Sequence, residues 1–219
     1  MKVYVAQIVR ELRHFYADYI YELETYQNVY AHLEAIANHM YYGVRQNLPC
    51  IKKEISNYHK DYLGKEELIL AESFTLDDCK QTVANEYGFL DWSAIEQLSN
   101  VQYKYQFERA VNYLLEGNKV ELMHLIDANP KLVAERSRYG HQATLLHYAG
   151  SNGIELWRQQ VPLNLPEIAT YLLESGADRS ATMKVYGGEH DTYALLTTSI
   201  HPKEAGIMDE MKNVLKPRV

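Results

Sequence analysis

An all-α fold is what this chain predicts, and three observations predict it. Residues 3–42 contain neither proline nor glycine and place apolar side chains at helical spacing. Residues 44–100 break into short apolar-periodic runs around Pro49, Gly64 and Gly88. Residues 101–219 read as helix–turn–helix units following one another. The predicted organisation is therefore a long amphipathic helix over 1–43, a helical region over 44–100 and a repeat-like region over 101–219.

In the first segment Val5, Leu12, Tyr19, Tyr26, Leu33 and Met40 recur every seven residues. Val9, Tyr16, Leu23, Tyr30 and Ala37 form a second row, and Ile8, Phe15, Val29 and Ile36 a third. Three rows make a face broader than the seam of a dimeric coiled coil, so burial within the same protein is expected, with a monomer favoured over a homodimer. Unbroken, such a helix spans ~60 Å; a break near Asn28 is the alternative. Gly43 is expected to end it. In the second segment Leu76, Cys79, Val83 and Tyr87 mark one helical face, Gly88-Phe89 a stop, and Asp91 a cap before Trp92 and Ile95.

The third segment is the most informative. Thr144 is placed to cap a helix that sends Leu145 and Leu146 inward, and Asn152-Gly153 to end it. Ile168, Ala169, Leu172 and Leu173 give a second helix a buried face, and Gly176 closes it. With residues 154–166 set aside, TLLHYAGSNG…EIATYLLESGADRSA resembles one ankyrin repeat, although Leu145 stands where that family usually has proline. Phe107–Ser137 and Asp191–Leu215 resemble weaker flanking copies, the latter with Thr192 at the cap and a turn at His201-Pro202. About three repeats, one carrying a long insert, are expected. The run ending in Gly88-Phe89, the following Asp91-Trp92-Ser93, and Thr198-Ser199-Ile200-His201-Pro202-Lys203-Glu204-Ala205-Gly206 are similar to a group of bacterial ankyrin-repeat proteins. The resemblance covers about 44–215; 1–43 looks like an added element.

What the resemblance implies is a binding module rather than an enzyme, with no cofactor; Cys50 and Cys79, too few for a disulfide framework, make a reducing cytoplasm the expectation. In this family finger-like connectors line a concave binding surface. Carried over, the partner-binding candidates are Arg136, Arg138, Tyr139 and His141, then Lys184, Tyr186, Glu189 and His190. The insert adds Trp157, Arg158, Gln159 and Gln160, either displayed to a partner or folded back as a lid on the core. Tyrosine, tryptophan and arginine supply much of the energy of protein interfaces. His147 is expected as a core histidine tying neighbouring turns together.

Composition narrows the partner. A net charge of −7 disfavours nucleic acid and suits a protein partner, a basic one on charge grounds. No run is long and apolar enough for a membrane span, and the first residues lack a signal-peptide succession. Cys50 and Cys79 provide no disulfide framework. No GxxxxGK[ST], GxGxxG or HExxH run occurs, and Gly187-Gly188 reads as a turn. His32 and His39, seven apart, do not make a metal motif, so no metal is expected. Ser199 and His201 lack an orienting acid. The alternative is an enzyme or small-ligand sensor with a His/Tyr-lined site where the helical region meets the repeats, using His141, His190 or His201.

Overall fold

The computed structural model describes residues 2–185 and 187–217 and is mostly helical, with two small sheets that the all-α expectation lacked. It divides into two compact units, one from Arg10 to Tyr103 and the other from the described residues of 1–9 and 104–219. Residues 2–9 thus group with the C-terminal part of the chain.

Residues 3–42 are not one helix. They form strand β1 (Val3–Val5), helix α1 (Gln7–Tyr16), a single turn α2 (Asp18–Tyr21), a short 3-10 turn (Leu23–Thr25) and the start of α3 (Val29–Arg45). Ala17 breaks the run with a φ of 33°, and Asn28 restarts it by accepting the Ala31 N–H at 2.8 Å. Much of the seven-residue pattern still faces inward: Leu12, Tyr16, Leu23, Leu33, Ala37 and Met40 are interior, while Val5, Tyr19, Tyr26 and Tyr30 are half-buried. Short helices that each turn the same phase inward reproduce the periodicity of a long one, which is why the pattern alone misleads.

The Arg10–Tyr103 unit continues with α4 (Pro49–Tyr58), α5 (Leu76–Glu86) and α6 (Trp92–Glu96). Helix α3 packs on α4, α5 and α6. Thr75 and Asp78 cap α5 reciprocally, and Asp91 caps α6 by accepting the Ala94 N–H, as its sequence position predicted. Cys79, Val83 and Tyr87 line the buried face of α5. The C-terminal end of the unit is tied back to the start of α3: Tyr103 donates its backbone N–H to the Gln27 carbonyl, and its hydroxyl meets His32 Nδ1 at 3.2 Å.

Gly43 does not stop α3 but lies within it, at a place where two neighbouring side chains would have to shift to admit a Cβ. A Cβ there meets Ile51 Cγ1 at 2.6 Å and Phe15 Cζ at 2.8 Å. Gly43→Val is expected to cost about 2–3 kcal/mol through overpacking, more than the gain in helix propensity returns. Urea unfolding checks it, and an unchanged midpoint would show that the contact yields freely.

The other unit holds three successive helix pairs. They are α7 (Tyr105–Glu116) with α8 (Lys119–Ala128), then α9 (Leu145–Ser151) with α10 (Leu165–Glu174) separated by strand β2 (Gln160–Pro162). The third is α11 (Thr192–Thr198), after the hairpin β3 (Thr182–Val185) and β4 (Gly188–Asp191), with the one-turn α12 (His201–Glu204) and α13 (Met208–Leu215). The first helices pack side by side, α9 touching both α7 and α11, while α10 lies on α13. Their apolar faces share one core that runs from Phe107 through Leu146 and Leu172 to Leu215.

Caps follow the sequence closely here. Thr144 and His147 form a reciprocal capping box, and Asn152 ends α9 in the left-handed conformation. Asp191 rather than Thr192 caps α11, accepting the Ala194 N–H, and Thr192 is buried one position on. The predicted turn at His201-Pro202 is instead the start of α12. His147 accepts the Thr144 N–H at Nδ1, so its Nε2 carries the proton and donates to the Ala181 carbonyl at 2.9 Å. Burial pushes its pKa down to about 4, so the neutral ring is the working form.

Among the described residues no helix is long and apolar enough to cross a membrane.

Candidate partner-binding surface

The two connectors run edge to edge. The first, between α8 and α9, folds back on itself through the Ser137 N–H to Ala143 and the Gln142 N–H to Tyr139. The second is the β3–β4 hairpin, registered from Thr182 opposite Asp191 to Val185 opposite Gly188, with a φ of 76° at Gly187. Lys184 donates its N–H to the His141 carbonyl at 3.0 Å, joining the two. The Arg136 guanidinium spans the same seam, reaching the carbonyls of Gln142 at 2.9 Å and Thr182 at 2.7 Å.

This geometry sorts the predicted site residues. Arg136, Arg138, Lys184 and Glu189 are exposed and His190 is half-buried. Tyr186 lies outside the described residues. The remaining candidates require correction, because they face inward. Tyr139 and His141 are buried under the connector, and Trp157, Arg158 and Gln160 are at most 3% exposed. Gln159 is half-buried. The insert is folded onto the protein rather than displayed: it makes a 3-10 turn (Leu156–Arg158), and strand β2 then pairs antiparallel with β1, Val161 opposite Tyr4.

The buried candidates meet in one polar cluster that sequence reading divided between two sets. Arg158 is its centre. Its guanidinium contacts Glu108 at 2.9 Å and Glu155 at 3.3 Å, the Asn112 side-chain oxygen at 3.2 Å and the Tyr148 hydroxyl at 3.2 Å. It also lies over the rings of Trp157, Tyr148 and Tyr139 at 4.6, 5.4 and 5.9 Å. Ser137 donates to Glu108 at 2.6 Å and accepts the Tyr139 N–H. His141 accepts the Ala143 N–H at Nδ1, which leaves Nε2–H to donate to Glu155 at 3.3 Å.

A charged group stays in an apolar interior only when its partners satisfy it. One guanidinium cannot neutralise two carboxylates equally, and the pair separates. Burial raises Glu108, outweighing the pull of Arg158. Burial opposes ionisation of Glu155 as well, yet the Arg158 charge and the His141 bond override it and hold that carboxyl down to about 2. The cluster thereby fixes the first connector (Ser137, Tyr139, His141), the insert (Glu155, Arg158) and α7 (Glu108, Asn112) to one another.

Glu108, Asn112, Ser137, Tyr148 and Glu155 were missed by sequence reading. A signal was present for two of them. Glu108 and Asn112 sit four apart on the buried stripe of α7 beside Phe107, Val111 and Leu115, where a carboxylate demands a cation.

The other candidates remain apart. Ser199 donates to Asn152 at 3.3 Å and His201 lies 3.8 Å from Glu204, so the two do not form a nucleophile and base. His39 is stacked between Phe15 and Tyr19, and His32 Nε2 donates to the Tyr19 carbonyl. Among the described residues no group of three or more His, Cys, Asp or Glu side chains is placed to hold a metal ion.

No family model, curated protein or solved structure matches this chain.

Proposed function

We propose that the chain is a non-enzymatic interaction module whose 104–219 region is a short ankyrin-type stack, and that it binds another protein through the outer rim of its two connectors. The observation that carries this reading is the rim itself. Two connectors are bonded side by side and present Arg138, Lys184 and Glu189 to solvent, and the first of them rests on a buried charge cluster that holds its base still. Preorganisation of this kind lowers the entropic cost of association. The three helix pairs, with α7, α9 and α11 packed in sequence order and connectors between them, support the ankyrin reading.

The rim also refines the partner. Arg136, Arg138 and Lys184 outnumber Glu189 on it, so it is locally basic within an acidic chain. Local complementarity, which steers encounter, therefore calls for an acidic patch on the partner, not the basic partner that net charge alone suggests.

Affinity capture from native lysate with the wild type and with Arg138→Glu, Lys184→Glu tests the reading. Both positions are exposed, so the variant should melt within about 0.5 kcal/mol of the wild type. The expected result is one protein recovered by the wild type, with a loss of at least tenfold in the variant and a weakening with added salt. Equal recovery by both removes the rim as the site, and recovery of nothing by the wild type sinks the module reading.

A further inference from the structure

Strand β1 pairs with β2 on one side only, in a two-stranded sheet. One bond shows which of its backbone groups face β2. The Leu163 N–H donates to the Lys2 carbonyl at 3.1 Å, and the register sets Tyr4 opposite Val161. Bonded pairs in an antiparallel ladder fall at every second residue, so Lys2 and Tyr4 bond to β2. Val3 and Val5 therefore turn their N–H and C=O groups away from it. Pro162 fits this parity, standing opposite Val3 with no N–H to give. Among the described residues nothing pairs with the outward groups of Val3 and Val5.

The neighbouring strands are closed or defended. Strand β2 carries Pro162 and lies against α7, and β3 is joined to the first connector through the Lys184 N–H. Strand β4 bears Glu189 and Asp191, and charge of this kind keeps a like edge away. Val3, Tyr4 and Val5 bring no charge, in a chain whose net charge is −7. An acidic chain can meet its own copy closely where charge is absent, and β1 supplies such a place. The strand is also held ready: the Tyr4 hydroxyl donates to Glu204 of α12, and Tyr4 packs on the core.

The edge is complementary to itself. Val3 and Val5 flank Tyr4 symmetrically, so a two-fold axis at Tyr4 sets Val3 opposite the partner's Val5. Each such pair exchanges both of its N–H···O bonds, and the symmetry repeats the exchange beyond the axis.

We propose that the β1 edge docks a second copy of this chain, antiparallel about a two-fold axis at Tyr4, so that the two small sheets become one. The sequence favoured a monomer by giving Val5 to a buried helical stripe; as a strand residue it is half-buried and released from that role. An edge of three residues is much smaller than a standard interface, so the dimer is reversible and forms in the micromolar range.

Sedimentation equilibrium of the full chain across that range compares the wild type with Val3→Pro and Val5→Pro. Proline at either position deletes an N–H that points away from β2 and leaves the Tyr4–Val161 bonds in place, as edge strands tolerate. The expected result is a reversible wild-type dimer whose dissociation constant rises about tenfold or more in either variant. Amide exchange gives a second reading: protection at Val3 and Val5 should grow with protein concentration, and protection at Tyr4 should not. A wild type that stays monomeric throughout overturns the proposal. So does a dimer that both prolines leave intact, since its pairing then lies on another surface. Should a proline unsettle β1, seen as lost protection at Tyr4, wild-type exchange decides alone, and protection at Val3 and Val5 that ignores concentration overturns the dimer.

Discussion

Arg158→Met is expected to remove about 3–5 kcal/mol of stability, because it leaves Glu108 and Glu155 inside the protein without the cation they share. Methionine preserves much of the apolar stem, so the loss reports the charge and its hydrogen bonds rather than a cavity. Urea unfolding at neutral pH measures it, and a loss below about 1 kcal/mol would mean the carboxylates find water or protons easily. Adding Glu155→Gln to Arg158→Met should recover part of the loss, since the stranded charge is then gone. The acid limb supplies a second reading. Glu155 is depressed to about 2, so its contribution is present above the unfolded value of about 4.3 and is lost as pH falls toward 2. In Arg158→Met that part of the acid dependence should flatten.

Trp157→Ala is expected to cost about 3–5 kcal/mol, the range for deleting a large buried aromatic side chain. Trp157 is 1% exposed, and its ring lies under the Arg158 guanidinium, so truncation removes both packing and a cation–π contact. The melting temperature should fall, and protection of the β2 backbone from exchange should fall with it, because β2 begins two residues beyond the Leu156–Arg158 turn. Capture of a partner through the connector rim should survive at temperatures where the variant is folded. Undiminished stability with lost binding would instead return Trp157 to the surface role its sequence position suggested.

The contrast between these residues and the caps shows what was legible. Thr144, Asp91 and Asn152 act on backbone groups a few residues away, so their roles can be read locally, and the structure bears each out. The helices of 104–217 were legible for the same reason, their apolar spacing being local. Arg158 and Glu108 stand fifty residues apart, and nothing near either one announces the other. An unpaired-looking Arg in a long insert therefore read as a surface residue, although burial with a remote carboxylate suits it equally. The first forty residues failed differently. Their spacing was right and their continuity was not, because Ala17 adopts a left-handed-side φ that no residue type there foretells.

The pairing of β1 with β2 bears on the order in which the parts come into being. Val5 meets Gln160, so a strand that leaves the ribosome early finds its partner only after more than 150 further residues have been made. At typical synthesis rates that interval is on the order of ten seconds or more. During it the Arg10–Tyr103 unit is complete and free to fold, whereas Val3-Tyr4-Val5 is an apolar strand with an unpaired edge. Nascent chains halted before Gln160 should thus expose this segment to chaperones, and chains halted beyond Pro162 should sequester it.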